Sequence, residues 1–102
     1  MKYLPELFIK NIEYLVTYGV EPEIEIIMKG DKKIFIIAYA DFIDFYDEND
    51  NHQKLDNIKQ AVERIDFAKI LDIIEYGGMD LSRPIEEQSM LVDGELWLTP
   101  HV

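Results

Sequence analysis

The chain has 102 residues, 48% of them hydrophobic, and its 21 acidic and 10 basic side chains give a net charge of −11. This length suits a single domain over residues 1–102, and the many large apolar residues indicate a folded core despite the charge. The absence of cysteine excludes disulfides and thiolate metal sites. The acidic balance disfavours direct binding to nucleic acid or to anionic membranes, because both repel a negatively charged protein.

The first residues, MKYLPELFIK, do not resemble a signal peptide, because Pro5 and Glu6 interrupt the apolar segment that such a peptide needs. The longest apolar run, Ile34 to Ala40, has seven residues. A membrane-spanning helix takes about 20 residues. We therefore expect a soluble, cytoplasmic protein that does not bind membranes.

An amphipathic helix is predicted over about residues 4–18. Pro5 suits its first turn, where a missing N–H costs nothing, and Gly19 suits the residue that follows its last turn. One face of this helix is apolar at helical spacing: Leu4, Leu7, Phe8, Ile12, Leu15 and Val16.

The period then changes to two, which indicates β-strands. In PEIEIIMK, isoleucines alternate with Glu23 and Glu25, so this strand looks half-exposed. The next strand, KKIFIIAYA, is apolar on both faces and is therefore expected to be central or covered on both sides. A turn at Gly30–Asp31 joins the two strands into an antiparallel hairpin.

The next segment, DFIDFYDENDNHQ (residues 41–53), is predicted to be an acidic loop. Three readings are open: a cation site, a negative surface for a basic partner, or a solvated connection. Asp47, Asn49 and Asn51 alternate as in a calcium-binding loop, but His52 replaces the required glycine and Ile58 the required glutamate. The pattern therefore predicts no tight calcium site.

Residues 55–76 are predicted to be helical, with two apolar stripes on nearly opposite sides of one straight helix. Either the helix is buried on both sides or it breaks near residues 64–66. We favour the break, because Asp66 is a suitable N-cap for a second helix that begins at Phe67. Gly77 and Gly78 would then end this second helix.

Asp93–Gly94 lies between two apolar runs and predicts a two-residue type I′ turn. Such a turn makes a C-terminal hairpin that pairs Val92 with Glu95, Leu91 with Leu96, and Met90 with Trp97. The predicted fold class is therefore α+β. Its elements are an N-terminal helix, an antiparallel β-hairpin, one or two central helices and a C-terminal β-hairpin, with the helices packed on an antiparallel sheet.

The negative charge is concentrated in two segments. Residues 34–53 contain five carboxylates and no lysine or arginine, and residues 77–102 contain five carboxylates and one arginine. Acidic side chains among aromatic ones suit an interface with a basic partner, although the aromatic side chains can equally belong to the core. The candidate partner-binding residues are Asp41, Asp44, Tyr46, Asp47, Glu48, Asp50, Glu86, Glu87, Asp93, Glu95 and Trp97.

No catalytic, cofactor-binding or metal-binding motif is recognised, and the two histidines, His52 and His101, lie in no known pattern. In size, charge and lack of cysteine the chain resembles inhibitors and immunity proteins that neutralise a basic nuclease or nucleic-acid-binding protein; the likeness is one of type and involves no shared motif. It implies a small intracellular module that occupies a basic site on a partner protein. The alternatives are a structural or assembly module that forms a homodimer through a sheet edge, and a small enzyme or metal binder that uses His52.

Overall fold

The computed structural model describes residues 2–98, and its fold is α+β, as the sequence predicts. A 3-10 turn lies at Phe67–Lys69, and a 3-10 helix lies at Ile85–Gln88. Within residues 2–98, no helix is long and apolar enough to cross a membrane. The helices and strands, in chain order, are α1 (Pro5–Thr17), β1 (Glu23–Met28), β2 (Lys32–Ala38), β3 (Ile43–Asp47), β4 (His52–Leu55), α2 (Ile58–Glu63), β5 (Ile70–Glu75), β6 (Ser89–Val92) and β7 (Glu95–Leu98).

Five strands form one antiparallel sheet in the order β4-β3-β2-β1-β5, and β6 pairs with β7 in a separate two-stranded sheet. The first hairpin is therefore extended on both sides, and β2 takes the central place that its two apolar faces predict. On the inner face, Ile24 and Ile36 are opposite one another, and both are buried. Helix α1 places Phe8, Ile12 and Leu15 in the same buried cluster, so the core lies between this face and the helices.

The segment 41–53 is not a loop, and the prediction of a loop was wrong. Its residues form β3, a short turn and β4, with Ile43 opposite Leu55 and Tyr46 opposite His52. Strand β3 has one apolar face toward the core, because Ile43 and Phe45 point inward while Asp44 and Tyr46 point outward. The many charged side chains of the segment point to solvent, and they obscured its alternation of apolar and polar residues.

The chain does change direction near residues 64–66, but the second central helix was wrongly predicted. Asp66 is an N-cap, since its carboxylate accepts a hydrogen bond from the Ala68 N–H at 3.2 Å, yet it caps only the short 3-10 turn. Strand β5 follows and pairs with β1. Gly77 and Gly78 therefore follow a strand rather than a helix, and the buried Glu75 carboxylate accepts the Gly77 N–H at 2.8 Å.

The C-terminal hairpin has the predicted register, with Val92 opposite Glu95, Leu91 opposite Leu96, and Met90 opposite Trp97. Asp93 has φ of 51° and Gly94 has φ of 81°. Two successive positive φ angles are those of a type I′ turn.

A buried asparagine ties the C-terminal segment to α1. Asn11 is only 2% exposed; its Nδ2 donates to the Arg83 carbonyl and its Oδ1 accepts from the Ile85 N–H, both at 3.0 Å. Gln88, also buried, donates from Nε2 to the Asp80 carbonyl at 2.7 Å and accepts the Asp80 N–H at 2.9 Å. The segment around the 3-10 helix is thus held on the helical side of the sheet by amide side chains.

We expect Asn11→Ala to lower the free energy of unfolding by about 1–3 kcal/mol, because it leaves the buried Ile85 N–H without its acceptor. Urea denaturation of the variant and of Lys10→Ala, an exposed neighbour on the same helix, measures the difference. A loss no larger than that of Lys10→Ala would show that the Asn11 contacts do not hold the segment.

Candidate functional site: the open face of the sheet

The candidate site is the outer face of the five-stranded sheet, opposite the face on which the helices pack. Both helices and the 3-10 helix at Ile85–Gln88 contribute their buried residues to the cluster on the inner face. The outward side chains of β1, β2 and β3 are only half-buried or exposed. We call this surface the open face.

The strand register aligns the outward side chains of the open face in rows that run across the sheet. One row holds two carboxylates separated by one apolar side chain, with a lysine beside the first carboxylate, and the next row holds aromatic side chains beside a carboxylate. The first row is Lys54, Asp44, Ile37 and Glu23, and the second is His52, Tyr46, Phe35, Glu25 and Ile74. Acidic and aromatic groups from four strands therefore share one surface.

Three rings of the second row are stacked. The ring centroids of Phe35 and Tyr46 are 5.1 Å apart with planes at 14°, and those of Tyr46 and His52 are 4.5 Å apart with planes at 21°. A second stack joins Tyr39 and Phe42, whose centroids are 4.7 Å apart. Stacked rings lose little conformational freedom on binding, which suits them to serve as interface anchors.

His52 is held between two carboxylates. Its Nδ1 is 2.8 Å from Oδ1 of Asp44, and its Nε2 is 2.6 Å from Oδ1 of Asp50. Both carboxylates are acceptors, so a protonated imidazole, which donates from both nitrogens, matches this geometry. The hydrogen bonds to Asp44 and Asp50 accordingly raise the pKa of His52 above its ordinary value.

The tyrosines of the open face are held in their neutral form. Burial raises the pKa of Tyr46, and the nearby carboxylates of Glu23, Asp44 and Asp50 add to the effect. The Tyr76 hydroxyl donates to Oε1 of Glu25 at 2.9 Å, and this bond raises the pKa of Tyr76. The negative charge of the face therefore comes from its carboxylates alone.

The predicted partner-binding residues of the first acidic segment do not all lie on the open face. Asp44 and Tyr46 point outward from β3. Asp50 lies at the margin of the open face, where it contacts His52. Glu48 lies in the β3–β4 turn, where it accepts the Lys33 N–H at 2.8 Å. Asp41 is exposed in the bend before β3.

Asp47 is used inside the turn. Its Oδ1 accepts the backbone N–H of Asn49 at 2.9 Å and that of Asn51 at 3.1 Å, and its Oδ2 accepts from Asn51 Nδ2 at 3.0 Å. The bond from the Asn51 side chain is the main reason that the pKa of Asp47 is lowered. The calcium-loop spacing of these three residues thus corresponds to a hydrogen-bonded turn.

The second group of predicted residues lies elsewhere. Glu86 and Glu87 belong to the 3-10 helix that packs beside α1, and Glu87 forms an ion pair with Arg83 at 3.6 Å. Glu95 and Trp97 belong to the separate two-stranded sheet, and Asp93 lies in the turn that joins its strands. The structure therefore divides the predicted surface in two, and the C-terminal acids do not extend the open face.

The open face also contains residues that the sequence analysis did not select. Glu23, Glu25, Phe35 and Ile37 point outward from β1 and β2, and Tyr76 follows β5. The signal was present in the alternating glutamates of the first strand and in the second apolar face of the next. These side chains form one surface because β3 lies beside β2 in the sheet.

Within the described part of the chain, no group of three or more His, Asp or Glu side chains is arranged to hold a metal ion. Comparisons of the sequence with protein-family models and with curated proteins, and of the structure with solved structures, found no match.

We expect Asp47→Ala to destabilise the protein less at pH 3 than at pH 7. A carboxylate with a lowered pKa contributes stability above its ordinary pKa, 3.8, and this contribution is lost as the pH falls through the folded-state value. Urea denaturation at both pH values measures the effect, with Asp41→Ala as a control that removes an exposed acid from the preceding bend. Equal stability of the two variants at pH 7 would contradict a structural role for Asp47.

Proposed function

We propose that the protein is a binding module whose open face docks on a basic site of another protein, in the manner of an inhibitor or immunity protein. The observation that carries this proposal is the placement of Glu23, Glu25 and Asp44 around stacked aromatic rings on one uncovered sheet face. Carboxylates steer a cationic partner toward the face, and the rings supply apolar contact once it arrives.

The charge also favours a protein over a nucleic acid as the occupant. Sheets that bind single-stranded nucleic acid likewise present aromatic rings, but they surround the rings with lysine and arginine that contact phosphates. Here the outward rows of the sheet contain four carboxylates (Glu23, Glu25, Asp44 and Asp72) and two lysines (Lys33 and Lys54), besides His52. A basic protein removes the repulsion between these carboxylates, whereas a phosphate backbone increases it.

We expect the double variant Glu23→Gln, Glu25→Gln to weaken binding of a basic probe about fivefold at low salt, because steering depends on the removed charges. The probe is a short peptide rich in lysine and arginine, and nuclear magnetic resonance titration of the labelled protein follows it. Amide signals of β1 to β4 should shift. The control, Glu86→Gln with Glu87→Gln, removes two charges from the helical side and should bind like the wild type.

Equal weakening by both double variants would show that only net charge matters and would contradict docking on the open face. Shifts confined to residues 85–98 would place the binding surface on the C-terminal segment. The glutamine side chains keep the size of glutamate and an acceptor for the Tyr76 hydroxyl, so we expect thermal unfolding of the variants to match that of the wild type.

A second candidate function, self-association, is favoured by the C-terminal hairpin. Its Met90, Val92 and Trp97 side chains are 56%, 45% and 57% exposed. Met90 and Trp97 are opposite one another, so they form a continuous apolar surface. Contact between two copies would cover it, although Asp93 and Glu95 of the two copies would repel.

Salt separates the two functions. Screening weakens the attraction of an acidic face for a basic partner but relieves the repulsion between two acidic copies. Self-association through the hairpin predicts a dimer in sedimentation experiments that increases with salt and is lost in Trp97→Ser. Leu71→Ser, at another exposed apolar position, is the control and should leave the dimer intact. A monomer at every salt concentration would exclude this candidate.

A further inference from the structure

This inference rests on the proposed binding function of the open face. We infer that His52 is a proton-controlled gate on that face: the protonated ring bridges Asp44 and Asp50, and loss of its proton releases their charge to a cationic side chain of the partner.

The surroundings of His52 form a seat for a cation. Its two nitrogens contact carboxylate oxygens at 2.8 Å and 2.6 Å, and its ring lies over Tyr46 with centroids 4.5 Å apart. Two carboxylates beside an aromatic face would equally suit the ammonium of a lysine or the guanidinium of an arginine. When His52 is protonated, its own imidazolium occupies this position.

Among the charged groups around His52, the two carboxylates have the largest effect on its pKa. Asp44 and Tyr46 face it from β3, and Asp50 faces it from the β3–β4 turn. Lys54, on the same strand and opposite Asp44 in register, places its ammonium 4.8 Å from the centroid of the Phe42 ring. A neutral imidazole donates from one nitrogen only, so its other nitrogen would present a lone pair to a carboxylate. One of the two contacts must then break.

The pH dependence has opposite signs for stability and for binding. Because hydrogen bonds to Asp44 and Asp50 raise the pKa of His52 above 6.5, the ring contributes stability below pH 6.5 and loses it as the pH rises through the folded-state pKa. Over the same interval the open face gains one unit of negative charge. Association with a basic partner should therefore become faster as His52 loses its proton and one of its two carboxylate contacts breaks.

The test measures association rates of the lysine- and arginine-rich peptide, made without histidine, between about pH 5.5 and pH 9, where unperturbed carboxylates are ionised and unperturbed lysines are charged. The wild-type rate should rise roughly threefold at low salt. His52→Gln should bind at the high-pH rate throughout, because its side chain carries no charge. His101→Gln keeps His52 and should retain the wild-type dependence.

The outcomes separate the gate from the proposed function. If Glu23→Gln with Glu25→Gln slows association but the wild-type rate is flat while the His52 ring signals titrate, the gate is wrong and the binding face stands. A pH dependence that persists in His52→Gln also overturns the gate. If the Glu23 and Glu25 substitutions have no effect, the proposed function fails, and the gate fails with it.

Discussion

The arrangement of this protein depends on one constraint, the burial of one face of β1 and β2 against α1. Ile24, Ile26 and Ile36 are at most 1% exposed. Burial of each such side chain stabilises the fold by about 1.5–3 kcal/mol. Since side chains alternate along a strand, the same register that buries these isoleucines turns Glu23, Glu25 and their neighbours outward. A shift of the strand register by one residue would bury two glutamates. The burial of the isoleucines therefore decides which side chains lie on the open face, although the core residues do not lie on that face themselves.

Much of the fold could be predicted because its signals are local. The helix from Pro5 to Thr17 has its stripe, its first-turn proline and its following glycine within one segment, and the Asp93–Gly94 turn fixes its own register. Strand β5 gave the wrong signal for a physical reason. A register shift at Ile27 and Met28 places Ile70 opposite Met28 and Ile73 opposite Ile26. Inward side chains three residues apart have the spacing of a helix, and the cause of that spacing lies in the pairing with β1.

The candidate site was predictable only in part, because it is assembled across strands. The charge of residues 41–50 pointed to Asp44 and Tyr46, which the structure places on the open face. Glu25 lies opposite Phe35, and Phe35 lies opposite Tyr46, so these side chains share one surface only through the pairing of strands. No local pattern records such a pairing. The C-terminal acids, conversely, resembled the first group in composition but lie on the helical side or on the separate hairpin.

A count of carboxylates overstates how many acceptor atoms the acidic segment can offer to a partner. Asp47 accepts three hydrogen bonds within its own turn, and Glu48 accepts the Lys33 N–H, so both are used in folding the hairpin. Asp44 and Asp50 differ, because the side chain that each one contacts is His52, whose positive charge depends on pH. Hydrogen bonds from backbone N–H groups are permanent at any physiological pH, whereas those from an imidazolium are not. The carboxylates whose availability can change are therefore Asp44 and Asp50, beside the histidine, whereas Asp47 and Glu48 stabilise the turn.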